Sequence, residues 1–496
     1  MTSVVSSSTA QAASPTFSKQ IIDHEYVGAW EHFVGGGIAA FDCDGDALPE
    51  LFVAGGTDPA ILLRNRSDRD ALSFVDDTPA TLALTGVTGA YPINIDSDSF
   101  IDLVVLRAGE DRFFRGGPDC SFERMPFKAS DKWTTAFSAT WEGGKELPTL
   151  AFGHYVDRSN PDGPFEACDT NSLYRPDDGD GWEQTTLTPG YCALSILFSD
   201  WGRQGRADLR VSNDRHYYVR GGSEQMWAME VEPRLYAAAD GWKEQAIWGM
   251  GIASRDITGD GLPEVYLTSM GDQKLQFPTG DGPGYEDAKF ERGHTAHRPY
   301  TGGDGRPSTG WHAAFADFDN DGRDDIFVAK GNVEQMPSNA ADDPNNLLMQ
   351  TGDGRFVEVG EEAGLASLAR GRGAVVVDLN NDGALDIALV NRRAPLEIYQ
   401  NTTEAMGGWL SVIVSQPAPN VDAIGSFIEV ETPAGVQTRE ITIGGGHASG
   451  SLGAHHFGLG DAKSARVRVI WPDGETGKWH RVAPNATVDL ARPIPR

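Results

Sequence analysis

The sequence predicts an all-β protein assembled from seven repeated units, and two observations carry this prediction. Glycine accounts for 59 of the 496 residues, about 12% against a usual ~7%, which is typical of many tight turns between short strands. In addition, an aspartate-rich loop recurs along the chain at intervals of roughly 50–60 residues, and self-similarity at such intervals is the signature of a repeat architecture.

Five good copies of the loop place oxygen-bearing side chains at loop positions 1, 3, 5 and 9. Two weaker copies fill the remaining intervals: residues 200–208 keep the first and last aspartate, and residues 141–149 keep only their place in the order. Seven copies at near-constant spacing indicate seven equivalent structural units. The good copies begin at Asp42, Asn94, Asp256, Asp317 and Asp378.

Each unit is predicted to be a small sheet. Short apolar runs precede and follow the loops, as Ile38-Ala-Ala-Phe41 and Leu51-Phe-Val53 do around the first one, and this pattern is typical of buried strands. Seven units of about four strands in a ring form a seven-bladed β-propeller, within the usual range of ~4–8 blades; a linear solenoid is the alternative. The N-terminal run at residues 17–22 is expected to complete the last blade and so protect the ring edges.

The five good loops are expected to bind calcium, at about five sites in all. Hard cations take several oxygen ligands, which positions 1, 3, 5 and 9 of a tight loop can supply. An Asp/Gly-rich turn can make similar hydrogen bonds without metal, but the unpaired carboxylates of each loop would then repel one another. The loops are not EF-hands, because position 12 is aliphatic instead of glutamate. The expected ligands are Asp42, Asp44, Asp46, Glu50, Asn94, Asp96, Asp98, Asp102, Asp256, Thr258, Asp260, Glu264, Asp317, Asp319, Asp321, Asp325, Asp378, Asn380, Asp382 and Asp386.

The net charge of the chain limits the classes of partner that it can bind, and its cysteine content bears on its cellular compartment. The net charge of −31 argues against nucleic acid and anionic membrane surfaces as partners, and no apolar run reaches the ~20 residues of a membrane helix. Four cysteines fit one or two disulfides, with Cys168 and Cys192 as the favoured pair. The polar start of the chain lacks the apolar core of a signal peptide, so the chain is either cytoplasmic or exported after removal of its signal.

The residues also carry a family resemblance. The loops resemble FG-GAP/VCBS repeats, the calcium loops of integrin α-subunit propellers. The segments Gly408-Trp-Leu-Ser-Val-Ile-Val414, Asp422-Ala-Ile-Gly425 and His456-Phe-Gly-Leu-Gly460 resemble an ASPIC/UnbV domain. A propeller followed by this domain resembles the cartilage acidic protein family, which implies secretion (extracellular or periplasmic) and calcium binding but no agreed activity.

We therefore expect four parts along the chain. These are a polar N-terminal segment at residues 1–16, a propeller at 17–405, a small ASPIC/UnbV β domain at 407–490 and a tail at 491–496. Three histidines of the small domain, His447, His455 and His456, are interpreted as core or surface residues, because no carboxylate lies at ligand spacing from them.

A functional face is predicted on the rim of the central channel opposite the calcium loops, since loops on one rim of a rigid ring are the usual ligand platform. The candidate ligand-binding residues there are Trp311, Asn213, Asp214 and Asn391. The candidates for catalysis are His312 and His154 as bases or metal ligands, with Arg107, Lys330 and Arg372 holding an anion.

The favoured function is an exported scaffold for adhesion or for binding a glycan, a small molecule or a protein, with calcium in a structural role. One alternative is a metal-dependent lyase or hydrolase that uses the central pocket and a further catalytic metal. Another is an integrin-like protein-binding head, which would need an exposed apolar patch on the rim. The polar rim could equally cap blade ends and bind channel water without any ligand.

Overall fold

The computed structural model describes residues 14–494 except 130, 161–164, 178, 180, 215–218, 272, 281 and 296–305. Most of the predicted N-terminal segment at 1–16 lies outside the described residues. The described part is almost entirely β structure, which confirms the predicted fold class, and none of its helices is long and apolar enough to cross a membrane. Its 3₁₀ turns are Trp30–His32, Pro118–Cys120, Ala238–Asp240 and Phe290–Arg292.

The described strands before residue 402 form seven four-stranded antiparallel units, each running from an innermost to an outermost strand. β1 (Phe17–Glu25) belongs to the last unit. The first three units are β2 (Ile38–Phe41), β3 (Glu50–Val53), β4 (Ile61–Asn65) and β5 (Phe74–Asp76); β6 (Val87–Ile93), β7 (Asp102–Glu110), β8 (Arg112–Gly117) and β9 (Ser121–Met125); and β10 (Asp131–Thr140), β11 (Thr149–His154), β12 (Asn171–Pro176) and β13 (Trp182–Leu187).

The remaining four units repeat this order. They are β14 (Ala193–Ser199), β15 (Asp208–Asn213), β16 (Gln225–Ala228) and β17 (Arg234–Leu235); β18 (Gly249–Arg255), β19 (Glu264–Ser269), β20 (Lys274–Pro278) and β21 (Tyr285–Asp287); β22 (Gly310–Ala316), β23 (Asp325–Lys330), β24 (Asn346–Gln350) and β25 (Phe356–Glu358); and β26 (Arg370–Val377), β27 (Asp386–Arg392) and β28 (Pro395–Asn401), completed by β1.

The seven units close into a propeller, and pairing of β7 with β10 joins the second and third units into one eight-stranded sheet. Each innermost strand packs against the next one in the series β2, β6, β10, β14, β18, β22 and β26, and β26 packs back against β2. β1 pairs antiparallel with β28, from Phe17 opposite Asn401 to Ile22 opposite Leu396. The predicted completion of the last blade by the N-terminal strand is therefore confirmed.

The C-terminal strands form two further sheets stacked on a shared apolar core. One sheet has the order β33-β29-β36, and the other has the order β31-β30-β34-β35. The strands of these two sheets are β29 (Gly408–Ser415), β30 (Phe427–Thr432), β31 (Gly435–Glu440), β33 (His455–Gly460), β34 (Ala465–Ile470), β35 (His480–Val482) and β36 (Ala486–Ala491). A further strand, β32 (Gly450–Leu452), belongs to neither sheet.

One C-terminal segment, residues 443–452, leaves its own domain and fills the propeller channel; we call it the plug. Its backbone exchanges hydrogen bonds with the innermost strands: Gly446 with Ile252 of β18 in both directions (2.6 and 3.4 Å), and Gly445 N with the Ile196 carbonyl of β14 (2.8 Å). β32, at the end of the plug, pairs parallel with β2. Further contacts on β6, β10 and β22 mean that the plug is bonded to six of the seven innermost strands.

Two disulfides link described residues. The predicted pair Cys168–Cys192 is confirmed, and a second bridge, Cys43–Cys120, joins the first loop to the β8–β9 turn of the neighbouring unit. A disulfide framework is typical of oxidising compartments.

Candidate metal centres and the filled channel

The carboxylate at loop position 9 is buried in each of the five good loops. In all five it accepts a hydrogen bond from the backbone N–H of position 2, as Asp325 does from Phe318 (3.0 Å) and Asp386 from Leu379 (3.0 Å). Burial raises the pKa of Glu50 to about 7 and that of Glu264 to about 8, and it raises the pKa of Asp325 and Asp386. Hydrogen bonds from backbone N–H groups therefore do not offset the cost of burying these negative charges.

The position-1 aspartates organise the rest of each loop. Asp317 accepts hydrogen bonds from the backbone of Asp321 (3.0 Å) and Gly322 (2.7 Å), so the chain wraps around one carboxylate. This wrapping needs left-handed backbone at position 6, where Gly322 and Gly383 both have φ of +92°. The first loop places Ala47 there, at φ +69°.

Several ligand positions hold oxygens without a partner. The Asn94 Oδ1, Asp319 Oδ2 and Asn380 Oδ1 atoms are buried and accept no hydrogen bond from the described residues. Carboxylate oxygens of Asp317, Asp319 and Asp325 lie within 4.8 Å of one another, as do those of Asp42, Asp44 and Glu50. Converging oxygens with unused lone pairs fit a calcium ion, which takes six to eight oxygen ligands.

The two degraded loops carry their own positive charge instead. In the fourth unit, Asp208 at position 9 pairs with Arg206 Nε (3.1 Å) and accepts hydrogen bonds from Trp201 Nε1 (3.0 Å) and Tyr236 Oη (2.7 Å). In the third unit, Glu142 is held in a two-point contact by Arg175 (2.8 and 2.9 Å). In each degraded loop a guanidinium thus neutralises a carboxylate of the loop.

Arginines also approach some outer carboxylates of the complete loops. Arg64 lies 3.3 Å from Asp44, Arg115 lies 2.5 Å from Asp96, and Arg323 pairs with Asp321. These contacts involve positions 3 and 5, and the ion pairs among the described residues leave position 9 of these loops without a cation.

The C-terminal domain sits on the loop face of the propeller. Gly407 N donates to the Asp319 carbonyl (3.0 Å), Gly460 N donates to the Asn320 carbonyl (2.8 Å), and His456 Nε2 lies 2.6 Å from Asn320 Oδ1. Glu440 receives the backbone N–H of Asp200 (2.7 Å). The loops are therefore part of the interface between the two domains.

Three candidate residues lie around the plug and not on an open rim. His312 Nδ1 accepts the backbone N–H of His447 (3.0 Å), and burial lowers its pKa to about 3. Trp311 is fully buried, with its ring 5.0 Å from that of His447. Arg372 lies over Trp311 at 4.0 Å and donates to the carbonyls of Phe33, Gly371 and Val333, so its guanidinium already has acceptors.

The other charged candidates are engaged elsewhere. His154 is buried, with Nδ1 3.1 Å from Thr134 Oγ1 and Nε2 3.0 Å from Ser172 Oγ. Lys330 forms an ion pair with Asp343 (2.9 Å) in which both side chains are fully buried. Arg107, at the surface, donates to the carbonyls of Thr85 and Glu110. Each candidate catalytic residue thus already has a partner in the described structure, and a catalytic role for these residues stays a prediction.

The candidate amide and carboxylate residues form hydrogen bonds with neighbouring parts of the propeller. Asn213 donates to the Ser223 carbonyl (2.8 Å), and Asn391 donates to the Pro395 carbonyl (3.0 Å). Asp214 accepts a hydrogen bond from Tyr155 Oη (2.6 Å). Asp214 and Trp311 line the same small cavity of about 30 Å³ beside the plug, with room for about one water molecule. The capping interpretation of the polar rim fits this geometry.

His447 is the channel residue that sequence reasoning missed. Its Nε2 accepts the backbone N–H of Gly35 (3.2 Å), so the proton is on Nδ1, which donates to the Met250 carbonyl (3.1 Å).

The sequence did contain one signal for the plug: glycines recur five residues before position 1 of the loops. A Cβ on Gly37 would lie 1.8 Å from the Ala448 carbonyl oxygen, and one on Gly89 would lie 2.2 Å from it, so these glycines make room for the plug.

Comparison with known proteins places this architecture. The family profile described as ASPIC and UnbV matches residues 416–494, and that of an FG-GAP-like repeat matches residues 256–328. Cartilage acidic protein 1 of Mus musculus is 30% identical over 481 residues, which cover 88% of this chain and 70% of the mouse protein. The chain belongs to the cartilage acidic protein family.

Two further comparisons accompany this assignment. Cartilage acidic protein 1 of Homo sapiens is 31% identical over 164 residues, covering 32% of this chain and 24% of the human protein. The solved structure of YCF48 from Cyanidioschyzon merolae is 9% identical, covers 78% of this chain and 99% of its own, and superposes with a TM-score of 0.44. The aspartate-rich loops and the plugged channel are the features of this family member that bear on its function.

Proposed function

We propose that this protein is an exported β-propeller scaffold for ligand binding or adhesion, with structural calcium in its five complete loops. The contrast among the seven loops carries the calcium part of the proposal. The two loops without a full oxygen set neutralise a carboxylate with Arg206 and Arg175. Each of the five complete loops buries a position-9 carboxylate that has no cation partner among the described residues, and three of the five also hold a buried oxygen without a hydrogen-bond partner. A divalent cation would supply the missing charge in those five.

Export and binding rest on other observations. Two disulfides among the described residues are typical of an oxidising compartment, and the mouse relative is a cartilage acidic protein. A scaffold role is supported by the engaged state of the candidate catalytic residues His312, His154 and Lys330. The plug and the domain interface join the two domains by hydrogen bonds.

The test compares thermal unfolding with calcium and after chelation in wild type, Asp325→Asn and Asp208→Asn. Calcium at about 100 times its Kd stabilises by about 2.7 kcal/mol per site, so chelation should lower the wild-type Tm by many degrees. Asp325→Asn should lose one site's share of that shift and about one calcium per chain by elemental analysis. Asp208→Asn should lower Tm equally in both buffers, because its partner is Arg206.

Two results would contradict the proposal. One is an unchanged wild-type Tm after chelation, with loss of metal confirmed by plasma mass spectrometry. The other is an equal loss of the calcium-dependent shift in Asp325→Asn and Asp208→Asn.

A further inference from the structure

A second, larger cavity lies between the propeller and the C-terminal domain, and part of the plug lines it. Its volume is about 870 Å³, within the range of ~300–1,000 Å³ typical of small-molecule sites. One wall consists of the innermost strands β22 and β26, at residues 313–316 and 374–377, and the other wall includes Trp409, Ser411 and His455. Exposed residues at its edge, Ser451 and Thr487, leave it open to solvent.

Two arginines that line this cavity share one carboxylate oxygen. Arg255, at the end of β18, and Arg439, in β31, lie 3.3 and 3.8 Å from Asp324 Oδ1, and each side chain is only 14% exposed. The Nε atom of each is buried and has no acceptor among the described residues. Because one carboxylate oxygen serves two guanidiniums, this part of the wall keeps a positive charge and two unused donors. Buried charge that is not fully paired is costly, and an anion in the cavity would remove that cost.

The rest of the wall has both polar and apolar character. His455 lies on the cavity and makes no hydrogen bond within the described part of the chain. Burial, together with Arg439 and Arg255, lowers the pKa of its ring to about 3, so it is neutral and offers one donor and one acceptor. Residues 313–316 and 374–377 add alanine, phenylalanine and valine side chains. The lining also includes Arg69 and the carboxyl side chains of Asp42, Asp378, Asp422 and Glu440. The part formed by Arg255, Arg439 and the apolar strands β22 and β26 is the part that suits an amphiphilic anion.

We propose that the interdomain cavity binds one small amphiphilic organic anion, whose acid group is held by Arg255 and Arg439 and whose apolar body lies against β22 and β26. The cavity borders the first and last loops, at Asp42 and Asp378, and the plug, but Arg255 and Arg439 are not among the expected calcium ligands. The proposed site goes beyond the scaffold function, because it assigns a ligand class to a cavity inside the molecule instead of a partner to its surface.

The test uses 8-anilinonaphthalene-1-sulfonate, an aromatic anion whose fluorescence rises in apolar sites, titrated into the full chain in calcium buffer. We expect one saturable site per chain, displacement by octanoate, and no comparable binding of uncharged 1-anilinonaphthalene. Arg439→Gln and Arg255→Gln should each weaken binding tenfold or more, because a charge-assisted contact is lost. Arg481→Gln, at an exposed arginine of the same domain, is the matched control and should bind as wild type does.

A cavity-filling variant tests the site without removing an arginine, so it remains informative if the arginine variants misfold. Ala314→Leu adds bulk to the wall without changing charge, and it should weaken binding tenfold while circular dichroism and Tm stay near wild type. The proposal is overturned if the probe does not bind saturably, if the uncharged analogue binds equally well, or if a folded Arg439→Gln or Ala314→Leu variant binds as wild type does. Failure of this test leaves the chelation result intact, since chelation is read by Tm and metal content.

Discussion

The plug makes a sharp prediction for Gly89, whose missing side chain leaves room for the Ala448 carbonyl. A Cβ at this position would lie 2.2 Å from that oxygen and 2.8 Å from the Ala448 Cβ, more than 1 Å short of ordinary contact distance. Gly89→Ala should therefore push the plug away from β6. The backbone of Gly89 itself is not left-handed, so alanine adds no strain of its own there.

The cost of this substitution can be worked from the contacts that it breaks. Overpacking a close interior costs about 1–3 kcal/mol. The hydrogen bond from Ala90 N to the Ala448 carbonyl (3.2 Å) is also lost, which leaves a buried donor unsatisfied at about 1–3 kcal/mol. Alanine recovers about 0.4–1 kcal/mol through the unfolded chain, so the net loss is about 1–6 kcal/mol.

Thermal unfolding and limited proteolysis measure this loss. Unfolding entropy of about 2.1 cal/mol/K per residue amounts to about 1 kcal/mol/K for this chain, so Tm should fall by about 1–6 °C. Chymotrypsin should cut after Leu452, at the end of the plug, faster than in wild type. Gly352→Ala is the matched control, because a Cβ there meets no atom within 4 Å. Equal Tm values and equal cleavage in the two variants would refute the role assigned to the plug.

Two further substitutions test single features. Ala47→Gly should raise the free energy of unfolding by about 1 kcal/mol, because Ala47 holds a left-handed backbone at φ +69° that costs an L-residue about 1–2 kcal/mol; a lower Tm would contradict this. His447→Gln should make the stability of the protein less sensitive to acid. Burial lowers the pKa of the His447 ring to about 4 in the folded protein. The contribution of the neutral ring to the free energy of unfolding is therefore present above pH 6.5 and falls by about 3 kcal/mol as the pH approaches 4. The drop in Tm between pH 7 and 4.5 should be smaller in His447→Gln than in the exposed control His480→Gln, and equal drops would argue against it.

The fold and the loop geometry could be predicted because their signals are local. Positions 1, 2, 6 and 9 of each loop interact within nine residues, so Asp317, Gly322 and Asp325 reveal their arrangement by spacing alone. Ring closure was also readable, because β1 resembles the outermost strand of another unit and takes the same place beside β28.

The plug could not be predicted, because its contacts join residues that lie far apart in sequence. Ser138 and Ile443 are 305 positions apart, and Gly35 and His447 are 412 apart. The recurrent glycines before the loops were visible, but spacing does not tell whether a glycine serves a turn, a bulge or a neighbouring backbone. His312 interrupts that glycine pattern because its ring accepts a hydrogen bond from the plug.

Hydrogen bonds connect the loops, the domain interface and the plugged channel. In the sixth unit, Asp319 directs an unpartnered Oδ2 into the loop while its carbonyl accepts Gly407 N at the start of the C-terminal domain. A cation that fixes this loop would also fix the platform on which the domain rests, and the domain in turn holds the plug among six innermost strands. Wherever a loop lacks the oxygens for a cation, as with Asp208 and Arg206, the chain supplies the charge itself. We therefore expect neutralisation of these loops to support domain docking as well as the stability of single blades.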